Sequence, residues 1–377
     1  DSTTVFLDHG ARDPDRRFKL FLRSPNGVAG GATAPGYSLV SADGIYWSDP
    51  VETGGVGDRS TMFYNPFRKR WVYSIRSSVN GRGRTRHYRE HSDFLEGAEW
   101  TDEECVFWTG ADRLDPPDPA VGEPAQLYNL NAVAYESLML GLFEIHLGPP
   151  NSVCKEGGFP KTTELMTAFS RDGFHWHRPD RRAFIPAARN EGAWDRGYVQ
   201  PVGGICLVVN DELRFYYTGF RGGEGNDQEG GPAGSGMYAN ASTGMATLRR
   251  DGFASMNAGE EEASLLTRPV LFEGEHLFVN VENPDGELVV EVCSEEGEPL
   301  PGFTRSDCCP VRADSTRTSV QWKGQEGLGR WRGRPIRFQF YLRRGKLYAF
   351  WVSDSPEGRS DGYVGAGGPG FTDGKDS

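Results

Sequence analysis

The sequence predicts an all-β protein, a β-propeller followed by a β-sandwich, and three observations carry that prediction. The first is a phrase that returns at long, irregular intervals: Ser41-Ala42-Asp43-Gly44-Ile45-Tyr46-Trp47, then Ser170-Arg171-Asp172-Gly173-Phe174-His175-Trp176, with a worn copy at Arg249-Arg250-Asp251-Gly252-Phe253. Internal repeats decide architecture before single elements do. Gly accepts the positive φ of a primed turn and Asp tolerates it, so each Asp-Gly step predicts a tight hairpin between the last two strands of a repeated antiparallel sheet. The second observation is composition: 12% aromatic residues, with 50 Gly and 24 Pro in 377 residues, and turn signals about every ten to fifteen residues in place of helical periodicity. The third is a change of rhythm near Leu265, where plain period-two alternation replaces the Asp-Gly-aromatic phrase.

Taken in order, extended runs at residues 3–7, 18–22 and 37–40 and the Trp47 segment make a first sheet. Runs at 60–64, 71–76 and 84–88, with a degenerate end at Trp100, make a second. The third carries 130–135, 138–146, 165–170 and 174–177, and the fourth carries 198–209, 212–220 and 244–248 before the Asp251-Gly252 turn. Sheets of this kind set around an axis form a propeller with a central funnel suited to a small ligand. Alternating strands at 277–281, 287–292, 318–322, 336–341 and 347–352 read as a sandwich. The expected organisation is a propeller over 1–257, a sandwich over 263–355 and a flexible Gly/Ser/Asp-rich tail over 356–377.

The formal charge of −12 argues against a nucleic-acid partner, which would require a positive face. The one basic run, residues 82–89, reads as a solvated strand face or loop. No apolar stretch approaches the ~20 residues of a membrane helix, so no membrane partner is expected. Six cysteines are scattered without a C-x-x-C pair, and His175 and His177 flank Trp176 as a packed strand edge rather than a ligand pair, so neither a metal site nor a cofactor is expected. Cys206, in an apolar run, reads as a buried free thiol. The Gly-rich segment 222–236 reads as a rim loop or lid over the funnel.

With its S-x-D-G-x-x-W sheet ends and its propeller-then-sandwich order, the chain resembles the five-bladed β-propeller glycoside hydrolases, the superfamily of families 32 and 43; the trailing sandwich looks most like family 32. The resemblance spans residues 1–355 in architecture. It implies a hydrolase acting on an oligo- or polysaccharide through paired carboxylates. Five blades in the resembled superfamily against four legible here imply a further blade upstream of residue 1, and a gap between the first and fourth blades whose open edges, like those of the sandwich, would invite pairing with a second copy. A closed four-bladed ring is the alternative.

Glycosidic hydrolysis needs one carboxylic acid to protonate the leaving oxygen and one carboxylate to attack or to activate water. The starts of the innermost strands are polar where a strand entering a core should be apolar, and they supply the candidates. Asp58 stands where the resembled superfamily commonly has an Asp leading into an inner strand, and Asp195 stands comparably in the fourth sheet; each could instead pair with its neighbour, Arg59 or Arg196. Glu136 and Glu144 flank the apolar third-sheet hairpin, where desolvation would raise a carboxyl pKa, and Glu123 precedes that sheet. Tyr128, Asn129, Asn131 and Gln200 would bind sugar hydroxyls, and Trp194 or Tyr198 would stack on a ring. Two other functions stay open: a non-catalytic carbohydrate-binding propeller, and a sugar phosphorylase using Arg59, Arg196 and Arg221 around a phosphate.

Overall fold

The computed structural model describes residues 3–23, 34–223 and 236–377. Four antiparallel sheets come first. The first is β1 (Thr4–Leu7), β2 (Phe18–Arg23), β3 (Ala34–Ser41) and β4 (Val51–Val56); the second is β5 (Thr61–Asn65), β6 (Arg70–Val79), β7 (Gly83–His91) and β8 (Val106–Gly110). The third is β9 (Gln126–Glu136), β10 (Leu138–Gly148) and β11 (Thr162–Ser170), with the short helix α1 (Asn151–Gly157) between the last two. The fourth is β12 (Gly197–Val209), β13 (Glu212–Phe220) and β14 (Ala241–Arg249). Consecutive strands are neighbours in every sheet, as a propeller blade requires.

The first strands of the four sheets follow one another in a cycle. Phe6 on β1 packs on Tyr64 and Trp71 of the second sheet, with ring centroids 6.2 and 5.3 Å away. The Thr61 hydroxyl on β5 donates to the Leu130 carbonyl on β9 at 3.1 Å, and Asn131 Nδ2 on β9 donates to the Val202 carbonyl on β12 at 3.2 Å. Gly203 on β12 closes the cycle: a Cβ there would come 3.3 Å from Thr4 Cγ2 on β1. The first and fourth sheets therefore touch, and the expected gap between them is not found.

The repeated phrase joins β3 to β4 as expected, but not through a two-residue primed turn. Ser41 Oγ accepts from the backbone of Asp43 and Gly44 at 3.2 and 2.9 Å, and Asp43 Oδ1 accepts from Ile45 and Tyr46 at 2.8 and 2.9 Å. The second copy repeats this pattern: Ser170 Oγ accepts from Gly173 at 2.8 Å, and Asp172 Oδ1 accepts from Phe174 and His175 at 2.9 and 2.8 Å. Gly44 and Gly173 take φ +76 and +75. Side-chain oxygens thus satisfy backbone donors that a longer loop would leave open, and this explains why Ser and Asp recur together. The fourth strand of the first sheet accordingly starts at Val51 rather than at Trp47. In the third sheet the 174–177 run makes only a bridge between Phe169 and His177. Trp100 is not in a strand: it packs on Tyr73, 4.9 Å between ring centroids, and the second sheet ends with β8 instead.

The second part contains β15 (Met256–Ala258), β16 (Ala263–Leu266), β17 (His276–Glu282), β18 (Glu287–Cys293), β19 (Asp314–Ser319), β20 (Arg337–Arg343) and β21 (Gly345–Ser353). They form two sheets, ordered β15-β21-β17-β19 and β16-β20-β18, whose inward residues, among them Leu277, Val279, Val290, Val292, Phe338 and Phe340, share one core that also takes in Trp322 from the loop after β19. This is the predicted sandwich. Two compact units result, residues 1–207, 214–246 and 363–374 in one and 208–213, 247–362 and 375–377 in the other.

The C-terminal segment departs from the expectation of a flexible tail. A last strand, β22 (Tyr363–Val364), pairs with the end of β9 at Glu136 and Tyr135, and the Ala366 N–H donates to the Cys206 carbonyl on β12 at 2.9 Å. Val364 is fully buried there and the Tyr363 ring packs edge-on against Phe67 at 5.3 Å, so two apolar side chains plus backbone pairing hold a segment whose composition is that of a loop. Among the described residues all six cysteines are free thiols, and Cys206 is buried as expected. Among the described residues no helix is long and apolar enough to cross a membrane.

Candidate active site at the strand starts

Asp58 and Arg59 occupy the turn between β4 and β5. Ser60 fixes that turn: its hydroxyl donates to the Gly57 carbonyl and accepts from the Arg76 N–H, both at 2.9 Å, while Arg59 takes φ +61. Tyr128 lies near the start of β9, Tyr198 near the start of β12, and Lys161 just before β11. The Tyr198 N–H donates to the Lys161 carbonyl at 2.7 Å, tying the third and fourth sheets at this end.

These residues converge. The Tyr128 hydroxyl donates to Asp58 Oδ2 at 2.6 Å and lies 3.0 Å from the Tyr198 hydroxyl. Its single proton is committed to Asp58, so Tyr198 must be the donor of the second bond. Arg76 Nε is 2.8 Å from Asp58 Oδ1, an ion-pair distance, although the N–H is not aimed for a hydrogen bond. Burial pushes the Asp58 carboxyl upward, but Arg76, the Tyr128 hydroxyl, Arg84 and Lys161 outweigh it and hold the group below its ordinary value. Lys161 Nζ lies 4.7, 5.1 and 5.7 Å from the ring centroids of Tyr198, Tyr128 and Tyr238, and the Arg84 guanidinium lies 5.0 Å from that of Tyr128. Burial and the nearby Arg84 bring Lys161 down to about 8, against the pull of Asp58 and Glu144.

A buried layer completes the cluster. Glu144, on β10 opposite Asn129, is wholly inaccessible and pairs with Arg59 at 3.3 Å. Burial raises its carboxyl above the ordinary value despite Arg59, Arg86 and Lys161. Arg86 is also fully buried; its Nη1 donates to the carbonyls of Arg59 and Ser74 at 2.9 and 3.3 Å, and burial lowers it to about 9. His146 stands edge-on to Tyr128 at 5.9 Å and is held neutral, its value driven down to about 3 by burial and then by Arg84 and Lys161.

The structure thus brings Asp58, Arg59, Tyr128, Asn129 and Tyr198 together, whereas Asn131, further along β9, bonds the Val202 carbonyl. Glu136 is not among them. It sits at the far end of β9, at the β9–β10 turn with φ +48, roughly 26 Å along the strand from Tyr128 at about 3.3 Å per residue. The apolar hairpin buries its sibling Glu144 and leaves Glu136 at the tip. Asp195 and Trp194 form a separate patch on the fourth sheet, where the Tyr217 hydroxyl donates to Asp195 Oδ2 at 3.2 Å and Trp194 lies 5.4 Å from the Tyr217 ring. Arg196 lies over Phe159 at 5.6 Å, Gln200 is half-buried on β12, and Glu123 is half-buried near Gly148. Arg221 is exposed. Most of the 222–236 loop, residues 224–235, lies outside the described residues.

Lys161, Arg76, Arg84, Arg86 and His146 were not singled out from the sequence. The basic run hid two of them: β7 alternates, and Arg84, Arg86 and Tyr88 share one face while Arg82 is exposed, so a stretch read as solvated lays a buried arginine under the site.

No family model and no curated protein matches the chain. Solved structures similar to it include an N-acetylgalactosamine deacetylase from F. plautii (13% identity, 66% of this chain and 72% of that one, TM-score 0.46). Others are a glycoside hydrolase family 43 arabinoxylan arabinofuranohydrolase from Bacillus subtilis (12%, 94% and 79%, TM-score 0.35) and a family 32 beta-fructofuranosidase from Bombyx mori (8%, 90% and 89%, TM-score 0.36). With TM-scores this low, the chemistry of the cluster rests on its own geometry.

Proposed function

We propose that the protein is a glycoside hydrolase whose working carboxylates are Asp58 and Glu144. The observation that carries this reading is that two carboxyl groups share one cluster while their surroundings push them apart, Asp58 toward the ionised form and Glu144 toward the protonated one. Such a split assigns acid and base roles. Asp58 would attack the anomeric carbon or activate water, and Glu144 would protonate the departing oxygen. Tyr128 and Arg76 hold Asp58 in place, and Tyr198, Tyr238 and the amide of Asn129 offer aromatic and polar contacts to a sugar.

A non-catalytic carbohydrate-binding propeller is the second reading, favoured by the complete burial of Glu144 and by the double tether on Asp58. Kinetics separate the two. On a panel of aryl and natural glycosides, Asp58→Asn should cut turnover at least ~100-fold with folding intact, the low end for acid-base catalysis. Sugar binding without turnover in the unaltered protein would establish the second reading instead.

A further inference from the structure

The cluster carries more positive charge than its carboxylates can neutralise. Arg59, Arg76, Arg84, Arg86 and Lys161 share this end of the sheets with Asp58 and Glu144, although the chain as a whole is at −12. Arg76 is matched to Asp58 and Arg59 to Glu144. Among the described residues, no carboxylate lies within ion-pair reach of Arg84, Arg86 or Lys161. Arg84 spends Nη1 on the neutral Gln126 side chain at 2.9 Å, and Arg86 spends Nη1 on backbone carbonyls. Buried donors are also left over: Nε and Nη2 of Arg86 and Nδ2 of Asn129 have no partner among the described residues. Uncompensated buried cations are costly, and a structure that gathers them beside a half-open carboxylate is built for an anion supplied from outside.

We propose that this end of the propeller binds an oxyanion, carried on a sugar as a carboxylate or supplied as free phosphate, held by Arg84 and Lys161 beside Asp58. This rests on reading the cluster as the substrate site. It narrows the substrate class from neutral sugars to acidic ones, or adds an inorganic oxyanion as a second ligand. Arg84, half-buried over Tyr128, presents a guanidinium fork suited to two oxygens, and Lys161 supplies a point charge from the neighbouring third sheet.

The test is calorimetric titration at constant ionic strength, with sodium phosphate, sodium glucuronate, glucose and sodium chloride as separate ligands. Saturable binding of phosphate or glucuronate over chloride supports the proposal; phosphate alone identifies a free oxyanion, and glucuronate alone a sugar carboxylate. Arg84→Gln, which keeps the backbone N–H bond to Gln126 Oε1 at 3.0 Å, should weaken that binding at least about tenfold, the value of one charge-assisted bond. Binding should also weaken as pH rises past about 8, where Lys161 loses its proton. Lys161→Met should weaken the same binding; should that variant fail to fold, Arg84→Gln and the pH dependence still decide. Anion binding indistinguishable from chloride, or unchanged in Arg84→Gln, overturns the proposal. Cleavage of neutral glycosides without oxyanion binding defeats this inference and leaves the glycosidase reading standing, whereas oxyanion binding without any cleavage does the reverse.

Discussion

Replacing Tyr128 with Phe removes one oxygen and two hydrogen bonds from the centre of the cluster. The first, to Asp58 Oδ2 at 2.6 Å, is charge-assisted and worth about 1.5–3 kcal/mol; the second, from Tyr198, is a neutral bond worth about 1 kcal/mol. The ring stays, so the Arg84 and Lys161 contacts at 5.0 and 5.1 Å survive in large part. The Tyr198 hydroxyl, in a side chain 7% exposed, is left without that acceptor. The variant should therefore lose about 3 kcal/mol of unfolding free energy at pH 7, measured by urea denaturation. The pH dependence tests the cause. Asp58 is held below its ordinary value of 3.8, so its contribution is present above that value and disappears as pH falls through the folded-state pKa. The gap between Tyr128→Phe and the parent protein should narrow as the pH is taken below about 4. A loss under about 0.5 kcal/mol, or one equally large after Asp58 is protonated, would refute the claim that Tyr128 works through the charged carboxylate.

Three other outcomes follow from particular contacts. Gly54→Ala would drive a Cβ into the Trp100 ring and its carbonyl oxygen, so thermal denaturation should show a loss of at least about 2 kcal/mol; an unchanged Tm would mean that Trp100 can shift around it. Val364→Asp puts a charge at a fully buried position on β22 and should cost about 3 kcal/mol or more, with faster proteolysis after residue 355; equal protease resistance would show that the segment is dispensable. His146 is neutral when folded, held down at about 3 against its ordinary value of 6.5, so the unfolded chain binds the extra proton between those values and stability falls as pH drops from 6.5. His146→Leu should flatten that part of the urea-midpoint profile, and an unaltered slope would count against a buried neutral imidazole.

The sequence made the sheets and the sandwich legible because strand alternation and turn chemistry are local. The Asp-Gly phrase located the β3–β4 and post-β11 turns, but its Ser was not read as a cap, so the following strands were started too early, at Trp47 and Phe174. The site was legible where polar residues stand at or just before the start of an inner strand, as at Asp58, Tyr128 and Asn129. It was not legible where a charge is buried by packing between sheets: Arg86 looks solvated in its run, Lys161 is an isolated cation before an apolar strand, and only pairing geometry distinguishes Glu144 from Glu136 eight residues earlier in one hairpin. The C-terminal strand escaped notice because two residues, held by long-range backbone pairing, leave no periodic signal.

The central claim, that Asp58 and Glu144 divide the work of base and acid, is tested most directly by the pH profile of kcat/KM on an aryl glycoside. With Asp58 held below 3.8 and Glu144 raised above 4.5, the rate should rise as Asp58 ionises and fall as Glu144 loses its proton, giving a bell. Asp58→Asn should remove nearly all activity, and Glu144→Gln should abolish the alkaline limb while sparing substrates with good leaving groups. A bell of the same shape in both variants, or cleavage at the parent rate without Asp58, would contradict the assignment.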